Sequence, residues 1–227
     1  MFVRFCYSLF ITTGLICITM MPNQAYADDI GIKSTLSTIE INAEKMVDTA
    51  LRKDGQALVS INKNIQQSIN TLHSKLSTQA FDERRSRELL MAYSWTRIIS
   101  IDIQQHAWVG IAIAANQLTA SMIRFTNYPN LLKRDIEWMD YLTREVVLLN
   151  MEGFKENKEL LHARYADLQS TWQRISKELI INFHNKPLVL KGDTLMLQIK
   201  NADKVENIIS TAKKILVFVR KLENLGR

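Results

Sequence analysis

The chain has 227 residues, 47% of them hydrophobic and 23% charged, a size that suits one well-cored domain. Its 29 basic and 23 acidic residues give a formal net charge of +6 and are interspersed along the chain. That pattern describes a solvated surface with at most mild attraction to an anionic membrane surface, and no nucleic-acid-binding motif accompanies it.

The chain opens with Met1-Phe-Val-Arg4, continues apolar from Phe5 to Met21, and reaches Ala25-Tyr26-Ala27 before Asp28-Asp29. A basic start, a short apolar run and an Ala-x-Ala exit predict a signal peptide cut after Ala27, hence export to a periplasm; retention as an anchor is the alternative. Residues 1–27 are therefore set apart as a cleaved segment, and 28–227 are expected to form a single helical-bundle domain. Loss of Arg4 would lower the net charge to +5, and loss of Cys6 and Cys17 would leave a cysteine-free chain. Such a chain has no disulfide, thiol nucleophile or Cys-ligated zinc.

In the remainder, only Pro129, Pro187 and six glycines can break helices, so the expected fold is all-α with long helices. A first helix over about 34–52 carries Ile32, Leu36, Ile39, Ala43, Met46 and Ala50 on one stripe, with Ser37-x-x-Glu40 as a capping box or Ser34 as an earlier start. Lys53-Asp54-Gly55 reads as a tight turn. A second helix over about 56–77 has a narrow seam of Leu58, Ile61, Ile65, Leu72 and Leu76, which places it on the outside.

Asp82 can cap a third helix that, if continuous to Thr126, is about 45 residues long, with Gly110 as the place for a kink. Within it, Ile103 to Ile123 contains no Asp, Glu, Lys or Arg. A large row (Trp108, Ile111, Ala115, Leu118, Met122, Phe125) and a small row (Ala107, Gly110, Ala114, Ser121) suit a helix in the middle of the fold. Asn116, Gln117, Thr119 and Ser121 argue against a membrane span.

A fourth helix over about 131–151 has its core arc at Leu132, Ile136, Met139, Leu142, Val146 and Leu149. A fifth, over about 155–184, keeps the heptad Leu161, Tyr165, Leu168, Trp172, Ile175, Leu179 and Phe183 until Lys186-Pro187 stops it. Leu188–Ile199 reads as two short strands around Gly192-Asp193, or as a helix start capped by Asp193. A last helix over about 202–224 turns Val205, Ile208, Ala212, Ile215, Val219 and Leu222 inward. The expected architecture is an elongated up-and-down helical bundle around one long central helix, with a small hairpin before the C-terminal helix.

Catalytic motifs are missing: there is no Gly-x-Ser-x-Gly, His-Glu-x-x-His or glycine-rich phosphate loop. The expectation is a non-enzymatic protein without a cofactor. Candidate metal ligands reduce to Asp102 with His106, four apart on one helix face, and Glu159-x-x-His162, half of a carboxylate-bridged site. Each pair is read first as an ordinary helix-surface contact.

Two charges fall inside apolar arcs, Arg97 in the third helix and Asp135 in the fourth. A buried charge needs a partner, so the two are expected to pair with each other, or each with another partner, and so set how the helices register, or else to line a polar pocket. Trp138 and Tyr141, beside Leu148, are candidates for a partner surface. Together these features favour an exported interaction or accessory module of an envelope assembly with a protein partner. A ligand-binding or sensory bundle with an inter-helix pocket stands second, and a membrane-inserting protein using 103–123 third.

Overall fold

A computed structural model describes residues 23–153, 155–202 and 204–226, with side-chain environments from Gly31 onward. Residues 1–22 of the expected signal segment lie outside the described residues. Among the described residues the fold is helical throughout: α1 (Asn23–Leu51), α2 (Gly55–Leu76), α3 (Glu83–Gln105), α4 (Trp108–Phe125), α5 (Leu131–Gly153), α6 (Lys158–Ile181), α7 (Lys186–Lys200) and α8 (Val205–Glu223), with a final 3₁₀ turn at Asn224–Gly226.

Short connections make neighbours antiparallel, and the packing partners define two up-and-down four-helix bundles in tandem. In the first, α1, α2, α3 and α4 pack in order and α4 returns against α1; in the second, α5 through α8 do the same and α8 returns against α5. The two share a wall where α4 packs on α5. Each bundle has its own core, one built on Ile39, Met46, Ile65, Leu72, Ile99 and Leu118, the other on Met139, Leu142, Trp172, Ile175, Ile215 and Phe218.

This arrangement explains why Ile103–Ile123 carries no charge. The α4 row Ile111, Ala115, Leu118, Met122 and Phe125 joins the first core, while Ala120 and Ile123 on its opposite side join the second. A helix between two cores has little wet face. The amides that argued against a bilayer face α5: Asn116 Nδ2 donates to the Tyr141 carbonyl at 3.3 Å, and Gln117 Nε2 to Glu145 Oε1 at 3.1 Å. No described helix is long and apolar enough to cross a membrane.

The central element differs from the expected 45-residue helix. At His106 the backbone turns left-handed (φ 55°), and α4 folds back along α3. Gly110 is not the break; it lies where α4 passes α3, and a Cβ there would stand 2.6 Å from Asp102 Oδ2. The spine is thus the α4–α5 pair rather than one long rod.

The expected hairpin is also helix. Asn185 caps α7, its Oδ1 accepting the Leu188 N–H at 3.2 Å, and Pro187 sits in the first turn, where its missing N–H costs nothing. Gly192 and Asp193 serve Trp172 instead of a turn. Gly192 leaves room for the indole, which lies where a Cβ would be, and Asp193 Oδ1 accepts the indole N–H at 2.8 Å.

α1 starts before the expected capping box, so Ser37 lies mid-helix; Ser34 and Thr38 return their hydroxyls to the carbonyls of Gly31 and Ser34. α6 closes at Ile181, and Lys186-Pro187, expected to stop it at about 184, instead open α7, while two other expected ends hold. Asp54 accepts the Ala57 N–H at 3.1 Å, and Asp82 accepts the Arg85 N–H at 2.9 Å.

Candidate functional site

α5 is covered by α4, α6 and α8, and by side chains from α1, so charges on several of its faces are buried. Asp135 is held from α6 by Arg174, whose Nε and Nη2 donate at 2.8 and 3.2 Å, and by neighbouring Arg134 at 3.0 Å. Arg144 bonds Asp140 one turn back at 2.6 Å and reaches across to Glu44 of α1 at 3.5 Å. Glu145 stands 3.0 Å from Arg164 Nε of α6. Each of these pairs has a buried member on α5, and together they tie α5 to helices of both bundles.

The pairing of Arg97 with Asp135 does not occur. Arg97 projects from the exposed face of α3, while Asp135 pairs with α6. The apolar arc that seemed to bury Arg97 consists of Leu90 and Ile101, which are 67% and 43% exposed, and Trp108, which belongs to α4. The face of α3 that is buried carries Glu88, Leu89, Ala92, Thr96 and Ile99.

The expected aromatic surface is interior as well. Tyr141 and Leu148 are 3% and 1% exposed, and half-buried Trp138 stacks on Tyr141 with ring centroids 4.8 Å apart. Of the metal candidates, Asp102 faces Gly110 while exposed His106 packs on Trp108 at 5.3 Å. Glu159 and His162 are both exposed on α6. No group of three or more His, Cys, Asp or Glu among the described residues is arranged to hold a metal ion.

Three features remain for binding or regulation. The first is a cleft of about 210 Å³ between α3, α4, α5 and α6. Ile113, Leu148, Leu149 and Leu160 supply its apolar wall, and Trp95, Asn116, Gln117 and Glu145 its polar one. Burial and the Glu145 charge push the Tyr141 hydroxyl behind it well above its ordinary value, so Tyr141 stays a neutral partner of Gln117 at 3.2 Å. Neither Trp95 Nε1 nor Asn116 Oδ1 finds a hydrogen-bond partner among the described residues, although both are shielded from solvent.

The second is a trough along the outer α2–α3 seam. Depressions of about 400 and 350 Å³ flank Tyr93, whose hydroxyl donates to Asn70 Oδ1 at 3.0 Å and meets His73 Nδ1 at 3.2 Å. Phe81 and Leu90, 83% and 67% exposed, line one depression; Ile101 and Arg97 line the other.

The third is a carboxylate seam of Glu40, Glu44, Glu137, Asp140 and Glu223 where α1, α5 and α8 approach. Burial, then the Glu137 and Glu44 charges, pushes Glu40 up to about 8, with Lys133 opposing. Burial likewise raises Glu44 to about 7 despite Arg144. Glu137 is raised by burial and accepts a hydrogen bond from Tyr128.

The residues missed in the sequence, Arg144, Glu145, Arg164 and Arg174, had two local signals: Asp140 and Arg144 are spaced i, i+4, and Arg164 and Asp167 i, i+3. No protein-family model, curated protein or solved structure matches this chain.

Proposed function

We propose that this chain is an exported, periplasmic helical-bundle protein that acts as a non-enzymatic interaction module of an envelope assembly. Its leader-like first 27 residues and its lack of catalytic motifs support this. The observation that carries the reading is the α2–α3 trough, where Phe81, Leu90 and Ile101 stay in solvent beside exposed Arg97. Large apolar side chains along one outer groove, rimmed by amides and a cation, suit a helical segment of a partner protein with apolar anchors and an acidic residue.

The test is site-specific photocrosslinking in cells of the source organism, with the photoreactive residue at Leu90 or at exposed Leu197 on α7. A discrete adduct from Leu90 and none from Leu197 is expected, on a protein whose N-terminus by mass spectrometry is Asp28. Equal labelling from both positions, or no adduct from Leu90, overturns the trough as a docking site. Retention of residues 1–27 overturns the exported soluble form.

A ligand-binding bundle is the second reading, favoured by the cleft at Trp95 and Asn116. A membrane-inserting role would have to unpack α4, where most residues from Ile111 to Ile123 are buried.

A further inference from the structure

We infer that the cleft between α3, α4, α5 and α6 is a binding site for a small amide group carried on an apolar body. The inference rests on the ligand-binding reading and is independent of the α2–α3 trough.

Two unpartnered atoms of opposite sense define the chemistry. Trp95 Nε1 can only donate, and Asn116 Oδ1 can only accept; Trp95 and Asn116 line the same cleft and neither atom has a partner among the described residues, while Glu145 Oε2, also buried there, faces Arg164 Nε. Asn116 is 2% exposed and its Nδ2 is already engaged with the Tyr141 carbonyl, so turning the amide over would set two carbonyl oxygens against each other. A buried polar group left unsatisfied costs about 1–3 kcal/mol, and an amide offers both missing functions in one planar head.

The neighbouring groups narrow the class. Glu145 is neutralised by Arg164 at 3.0 Å and accepts from Gln117, so the site does not call for a charged head. An anion would meet Glu145 and the Glu152 carboxylate at the cleft edge. Leu148, Leu149 and Ile113 would cover the apolar body. The volume, about 210 Å³, lies below the roughly 300–1,000 Å³ of sites for drug-sized ligands, which limits the occupant to a fragment-sized molecule or a terminal group of a larger one.

The test titrates the purified protein with benzamide, benzoate and toluene, three probes of similar size but different head. Binding is read by ligand-observed NMR. Saturable benzamide binding, at least tenfold tighter than benzoate or toluene, is expected. Asn116→Leu should abolish it. Leu160→Trp should also abolish it by blocking the mouth, and because Leu160 is 40% exposed the larger side chain is expected to be accommodated, which circular dichroism checks. No saturable benzamide binding to a folded protein, equal affinity for toluene, or unchanged binding in a folded Leu160→Trp variant would overturn the site. None of these outcomes bears on crosslinking from Leu90, so the two proposals fail separately.

Discussion

Arg174 and Asp135 form a two-bond ion pair across the α5–α6 interface, with Nε 2.8 Å from Oδ2 and Nη2 3.2 Å from Oδ1. The pair is unequal: the Asp135 side chain is 6% exposed and that of Arg174 48%. Removing Arg174 strands a carboxylate in the interior, whereas removing Asp135 frees an arginine that already reaches water. Arg174→Met should therefore cost about 1–3 kcal/mol, with Arg134 holding the loss below that of a fully orphaned charge. Asp135→Leu should cost less. Urea unfolding of both single variants and the double variant measures this; equal single losses, or strictly additive ones, would contradict the asymmetry.

Gly192 inverts an ordinary rule. Replacing a helix-interior glycine by alanine normally gains about 0.5–1 kcal/mol. Here the new Cβ would fall on the Trp172 indole, which is 1% exposed and packs edge-on against Phe218 with centroids 5.6 Å apart. Gly192→Ala should cost about 1–3 kcal/mol through overpacking. Thermal unfolding decides it, and a stabilised variant would mean that Trp172 does not occupy this notch.

Glu40 makes stability depend on pH in a stated direction. Its carboxyl is raised from 4.5 to about 8 by burial, by Glu137 and by Glu44, so the folded protein holds this proton more tightly than the unfolded chain. That contribution is complete below about pH 4.5 and is lost as pH rises through about 8. Glu44, raised to about 7 but with its side chain 45% exposed, adds a smaller loss in the same direction. The melting temperature should fall by several degrees between pH 6 and pH 9, and Glu40→Gln should flatten the slope. A protein equally stable at both pH values would show that Glu40 is solvated.

Most of the fold was legible because most helices have one wet side. The stripes of α1, α2, α6 and α8 repeat every three or four residues, and their inward residues are nearly all buried, as Ile39, Ile65, Trp172 and Ile215 show. The charge network of α5 was not legible for the opposite reason. A projection assumes one apolar arc, but α5 is enclosed by helices of two bundles, so Arg144 and Glu145 are buried outside that arc at 8% and 4% exposure. Their partners Glu44 and Arg164 lie on α1 and α6, and no spacing within one helix reports them. The α7 error was local: Gly192-Asp193 resembles a turn, and only the position of Trp172 shows why a helix carries it.

His106 marks the other place where sequence pattern misled, and it yields the sharpest test of the fold. Neither Gly nor Pro announces the break, yet its φ of 55° ends α3, and its N–H closes onto the Asp102 and Ile103 carbonyls. A left-handed L-residue costs about 1–2 kcal/mol that glycine avoids. His106→Gly should therefore be neutral or stabilising by up to about 1 kcal/mol, whereas His106→Val should cost about 1–2 kcal/mol, because a β-branched residue resists this conformation. A continuous helix through position 106 predicts the reverse order, since glycine in a helix interior costs about 1 kcal/mol and valine less. The ranking of the two variants by thermal unfolding separates the α3–α4 hairpin from a single long rod, and glycine below valine would rule out the hairpin.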